Sequence, residues 1–152
     1  MAKFNFEMQP ILNFKEQVER QKELDFAKAL KLVNAEKEKL NSFYNEKDYS
    51  LKKLKNEAGK ENLDFAQFKF LNNYIEHLKI SITRQKDVIM KAEIILEQKR
   101  LILTEAMKER KMLDKLKENK FENFLEEEKR AEQKVIDEIV SYKKNINVGE
   151  VI

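Results

Sequence analysis

Between Pro10 and Gly149 the chain contains a single residue that breaks helices, Gly59. Turns in compact domains draw on Gly, Pro and Asn-Gly or Asp-Gly pairs. Here two glycines and one proline serve 152 residues, 39% of them charged. The dominance of Ala, Glu, Lys, Leu and Arg is the bias of long helices and coiled coils. The expectation is an all-α fold of one domain, 1–152. Two long helices form an antiparallel coiled-coil hairpin folded at Gly59, the second helix longer and overhanging. Two helices bury one seam between them, so no enclosed pocket is expected. A chain of this kind is suited to binding and transmitting rather than to catalysis.

The chain has no cysteine, which excludes disulfides and thiol chemistry and fits a reducing compartment. No apolar run approaches the roughly 20 residues of a membrane span. The opening Met1-Ala-Lys-Phe-Asn-Phe-Glu is too charged for a secretory signal. Net charge is +3, but the signs are interspersed. A nucleic-acid footprint needs a one-sided basic stripe, and the most basic stretch, Lys108 to Lys120, also holds Glu109, Asp114 and Glu118. No nucleic-acid partner is expected.

Met1 to Gln9 alternates apolar and polar residues through Phe4, Phe6 and Met8, as an extended arm or a frayed end would. Pro10 suits a first helical turn, where its missing N–H costs nothing. Helix one is expected over about 10–57, near 70 Å long at about 1.5 Å per residue. Its clearest seam is Phe26, Leu30, Val33, Lys37, Leu40, Tyr44, Lys47, Leu51 and Leu54, alternating steps of four and three. Ile11, Phe14 and Val18 read as an out-of-phase seam, joined to Phe26 by a stutter-like break. The turn is expected over about 58–62. Gly59 is expected in the left-handed conformation that ends helices, and Asn62 as the cap of the next helix.

Helix two is expected over about 63–144, on the order of 120 Å. Its seam runs Phe68, Leu71, Ile75, Leu78, Ile82, Gln85, Ile89, Ala92, Leu96, Lys99, Leu103, Ala106, Arg110, Leu113. Folding back at Gly59 sets Ile11 beside Glu109. Helix two beyond about Arg110 then lacks a partner and overhangs by some 35 residues, about 50 Å. A new apolar stripe follows there: Phe121, Phe124, Ala131, Val135, Ile139, Tyr142, Ile146. It calls for a second copy, another protein or the Phe4/Phe6 arm to cover it.

Phe70, Tyr74, His77 and Ser81 share one helical face that is not the seam. Large aromatic groups there have nothing of their own to pack on, and aromatic residues are enriched at binding hot spots; scattered surface aromatics are the plainer reading. His77, the only histidine, has no Cys or second His to complete a metal site. Val88, Ile95 and Ile102 precede seam positions by one residue and read as a broadened core contact, with a docking groove for another helix as the alternative. Consecutive Glu126, Glu127 and Glu128 point in different directions and cannot converge on an ion. There is no phosphate-binding loop, dinucleotide motif or catalytic triad. Neither a cofactor nor a small-molecule substrate is implied.

The opening Phe4-Asn-Phe6-Glu-Met8-Gln9-Pro10-Ile-Leu12-Asn-Phe14-Lys15 resembles the F-x-F-x-L-Q-x-L-L-x-L-R start of the FliJ family, soluble components of the flagellar type III export apparatus. Glu23 to Leu30 and Phe70-Leu71 continue the likeness, and Ala106 to Glu118 resembles the family's A-x-x-x-R-K-x-L-x-x-L-K-E block. It spans nearly the whole chain. Departures are Met8 and Phe14 for Leu, Lys15 for Arg, and Asp114 where Glu is common.

The resemblance implies an antiparallel two-helix coiled coil similar to the stalk of a rotary ATPase. It implies association with the hexameric export ATPase, the export-gate membrane protein and emptied export chaperones. It also implies a cytoplasmic location at the inner face of the membrane. On this resemblance Phe70, Tyr74, His77 and Ser81 occupy the gate-facing position. Phe121, Phe124 and Ile139, with Arg110, Lys111 and Leu113 of the charged block, belong to the end expected in the ATPase ring. The corresponding stalk of a virulence-type injectisome, and a general coiled-coil scaffold dimerising through the overhang, are the alternatives.

Overall fold

The computed structural model describes residues 2–150. It contains two helices, α1 (Gln9–Ala58) and α2 (Phe65–Glu150), which pack against each other as an antiparallel pair. α2 is the longer. The chain divides into two compact units, Arg20–Glu105 and the two chain ends up to Glu19 and from Ala106.

The Arg20–Glu105 unit is a hairpin closed by the connection between Ala58 and Phe65. Gly59 is not left-handed: no described glycine has a positive φ. Instead α1 tightens as it ends, Gly59 N donating to Asn56 O and Lys60 N to Glu57 O, each at 3.3 Å. Such i→i+3 bonds satisfy carbonyls that a helix end leaves orphaned. A Cβ added at Gly59 would meet Asn56 O at 3.6 Å, an ordinary contact. The glycine thus acts by weakening the helix, and no steric need holds it there. The cap of α2 is Asp64 rather than Asn62. Its Oδ1 accepts from Ala66 N at 3.1 Å and Gln67 N at 3.3 Å, so α2 begins two residues later than the apolar pattern suggests.

On α2 the seam lies where its pattern put it. Leu71, Ile75, Leu78, Ile82, Gln85, Ile89 and Ala92 are all buried. On α1 the seam is shifted. Leu30 and Leu51 are 40% and 41% exposed, and Lys37 is an exposed partner of Glu93 at 3.3 Å. The side chains turned inward are Phe26, Ala29, Val33, Glu36, Leu40, Phe43, Lys47, Ser50 and Leu54. Small and polar residues thus hold positions that a search for Leu passes over. Ser50 and Leu71, both buried, face each other across the seam and line one small cavity. Glu36 is tolerated because Gln85 Nε2 donates to both its backbone carbonyl, at 2.9 Å, and its carboxylate. That bond, helped by Lys39, holds the Glu36 carboxyl below the usual range against the opposing effect of desolvation. Val88, Ile95 and Ile102 do not broaden the core, as they remain 42%, 46% and 43% exposed.

In the unit of chain ends, Leu12 and Glu19 are buried while Ile11 and Phe14 are exposed. Met8, Leu12, Lys15, Glu19, Lys22 and Phe26 keep steps of four and three, so the expected stutter is absent from α1. Buried Glu19 is bound by the Arg110 guanidinium, which also binds Asp114. Lys15 Nζ lies 2.8 Å from Glu109. Burying Glu19 without such a partner would be strongly unfavourable.

α2 is not unpartnered beyond Arg110. Leu113, Leu116 and Lys117 are half-buried, and Phe4 meets Phe121 edge-on at 5.2 Å and Phe124 at 5.5 Å. The reason is the arm before Gln9. An extended chain rises about 3.3 Å per residue against about 1.5 Å for a helix, so a few arm residues cover several turns of α2. Phe6 is buried, and Ala2 reaches the surface around Leu125 and Glu132. Past the arm, residues 131–149 are all exposed.

Truncating a seam residue of α2 should be costly and truncating Leu30 cheap. Ile75→Ala is expected to lower unfolding free energy by about 2–5 kcal/mol, and Leu30→Ala by about 1 kcal/mol or less. Urea denaturation followed by circular dichroism measures both.

Candidate partner-binding surfaces

Two surfaces combine exposure with large apolar side chains. The first lies just after the turn, in the Arg20–Glu105 unit. Phe70 and Tyr74, four apart on α2, stand on one side of the seam residue Leu71. Phe70 is 68% exposed. With Glu46, Tyr49, Ser50 and Lys53 of α1 they line a shallow cavity of about 230 Å³. The Tyr74 hydroxyl donates to Glu46 Oε2 at 2.8 Å, and Lys53 Nζ lies 6.0 Å from the Tyr49 ring centroid, the outer limit of a cation–π contact. His77 is exposed and Ser81 half-buried; neither lines the cavity. Tyr49 and Glu46 were missed as members of this face. Folding the chain back at the turn sets Tyr74 beside Glu46, so the pairing rule could have found them.

The hydrogen bond to Glu46, then desolvation and the carboxylate charge, push the Tyr74 phenol above the usual tyrosine range. A raised folded-state pKa means this contribution is complete at neutral pH. It is lost as pH climbs through that raised value, when phenolate would face carboxylate. Glu46→Gln is expected to bring the Tyr74 titration down toward an ordinary tyrosine. Ultraviolet titration of the phenolate, with Tyr74→Phe to assign the signal, measures the change.

The second surface belongs to the unit of chain ends. Of the charged block, Arg110 is occupied by Glu19 and Asp114, Leu113 is half-buried and Lys111 is exposed. Phe121 and Phe124 pack against Phe4. Ile139 is set apart from these, and joins Val135, Tyr142 and Ile146 along one open apolar face of α2. All four are exposed. Among the described residues no group of three His, Cys, Asp or Glu side chains could hold a metal ion, and no helix is long and apolar enough to cross a membrane.

A solved structure of a putative YscO homolog, CT670, from Chlamydia trachomatis has a similar fold. The TM-score is 0.61 at 21% identity, covering 95% of this chain and 98% of that one. No curated protein sequence matches the chain. The family described as flagellar FliJ protein matches residues 4–145, a span that takes in the arm, both helices and the Val135–Tyr142 part of the exposed stripe. The chain belongs to the FliJ family.

Proposed function

We propose that this component of type III protein export acts as a non-catalytic central stalk for the hexameric flagellar export ATPase. The observation that carries the reading is the exposed stripe Val135, Ile139, Tyr142 and Ile146. A contiguous apolar face on a highly charged helix marks an interaction site, and Val135, Ile139 and Tyr142 of it lie within the residues that the family match covers. Phe121 and Phe124 act indirectly in this scheme. Held by Phe4, they fix the arm, and Ile139 and its neighbours make the ring contact. A single asymmetric stalk inside a six-fold ring touches only some subunits at a time, and so biases their states unequally.

The face of Phe70 and Tyr74, extended by Tyr49, contacts the export-gate membrane protein and couples the ATPase to export. His77 and Ser81 lie at the margin of that contact. Emptied export chaperones are the third class of partner. The chain works in the cytoplasm, at the inner face of the membrane.

Reconstitution with the purified export ATPase tests the stalk reading. The chain is expected to favour hexamer formation and change ATP turnover, and Ile139→Glu with Tyr142→Glu to abolish both effects. Both residues are exposed, so helicity and melting should stay within about 0.5 kcal/mol of wild type. Hexamer formation and turnover that are the same with and without the protein would end the proposal. Phe70→Ala with Tyr74→Ala should leave ATPase stimulation intact and weaken gate binding.

A further inference from the structure

Residues 2–8 lie on α2 as an arm, and what holds them there is narrow. Phe4 meets Phe121 at 5.2 Å and Phe124 at 5.5 Å, and Phe6 is buried. Among the described residues no hydrogen bond or ion pair ties residues 2–8 to α2. An open cleft lined by Asn5 and Glu7 of the arm and by Lys120 and Asn123 of α2 runs beside the contact, so the arm is not packed flush. Two rings are thus set against the lost freedom of the whole arm. Those opposing contributions are of similar size, so the docked and released states lie close in free energy.

Neither helix depends on the arm. α1 is pinned to α2 by buried Leu12, by Lys15 on Glu109 at 2.8 Å and by Glu19 on Arg110. α2 stays helical over residues 131–149, where every side chain is exposed. The arm can therefore leave without unwinding either helix. Its departure would uncover a defined surface. Phe121 lies two heptads before Val135 and Phe124 three turns before it, on the side of α2 that carries Ile139, Tyr142 and Ile146. Between them stand Glu128, Ala131 and Glu132. Release thus adds a second, aromatic patch to the open face and does not lengthen an unbroken stripe.

We propose that the arm is a releasable strap. Docked, it caps Phe121 and Phe124 and keeps them out of any partner contact. Released, it surrenders them to the protein that binds Val135, Ile139, Tyr142 and Ile146. That protein is the export ATPase ring, a choice that rests on the stalk reading. A partner that binds only the released state draws the population toward it, and its apparent affinity is lower by the fraction of chains whose arm has let go. The strap therefore sets how readily the ring engages this end of α2.

Ala2 and Glu132 line one cleft, and the chain has no cysteine of its own, so Ala2→Cys with Glu132→Cys tests the strap in the full chain. Spin labels on this pair should report two populations of distances, one close and one widely spread. Adding Phe4→Ser with Phe6→Ser should leave only the spread one, with helicity retained. Adding the export ATPase to the labelled chain should shift it the same way. Bridging the two cysteines with a short bismaleimide should weaken ATPase binding at least about tenfold, and Phe4→Ser with Phe6→Ser should strengthen it. A single population that the ATPase leaves unchanged would overturn the proposal, as would a bridged chain that binds the ring as well as the unbridged one. If no variant, bridged or open, binds the ring, the stalk reading fails. The strap is then decided by the distances measured without partner: two populations uphold it and one ends it.

Discussion

Two helices share one seam, and every other feature of this protein follows from which residues occupy it. Burial of the α2 stripe from Leu71 to Ala92 is the main source of cohesion in the Arg20–Glu105 unit. Each fully buried Leu or Ile contributes on the order of 1.5–3 kcal/mol. The α1 side of that seam is built from smaller and more polar residues, Ala29, Glu36 and Ser50 among them. Glu36 and Gln85 satisfy each other across it. An apolar seam tolerates sliding by a heptad, whereas a slid Glu36 would lose the Gln85 donor and keep only Lys39 of its own helix as a partner. The pair therefore selects one alignment, as a single polar core residue does in other coiled coils.

A seam this narrow leaves apolar residues outside it, and they are grouped. Phe70, Tyr74 and Tyr49 form one group beside the turn, and Val88, Ile95 and Ile102 a second along one edge. In the unit of chain ends, Val135 to Ile146 forms a third. The arm explains why that last group begins so late in α2. By setting Phe4 edge-on to Phe121 and tilted against Phe124, it covers the start of the stripe and leaves the remainder bare.

Much of this could be read from the sequence, and the failures have physical causes. The α2 seam was legible because nearly every position in it is Leu, Ile or Ala. The α1 seam was legible at alternate positions only: Phe26, Val33, Leu40, Lys47 and Leu54 lie in it as expected, but Leu30 and Leu51 sit one residue outside it while Ala29 and Ser50 sit inside. A rule that follows hydrophobicity chooses the leucines. Ile11 and Phe14 misled in the same way and suggested a stutter where Leu12, Lys15 and Glu19 continue the heptad. The overhang was placed too early because only helix one was set against helix two; of the three covers the sequence offered, the Phe4/Phe6 arm is the one that lies there, on Phe121 and Phe124. The aromatic face after the turn was found in part. Phe70 and Tyr74 share a helix and a spacing, but Tyr49 joins them only through the pairing of α1 with α2.

One unbroken heptad frame, with Leu12, Glu19, Phe26, Ala29, Val33, Ser50 and Leu54 turned inward, runs the length of α1. The chain has no cysteine, so single-cysteine variants can be placed at Ala29, Leu30, Ser50 and Leu51 and their rates of maleimide labelling compared. Labelling is expected to be slow at 29 and 50 and fast at 30 and 51. The reverse order would contradict it.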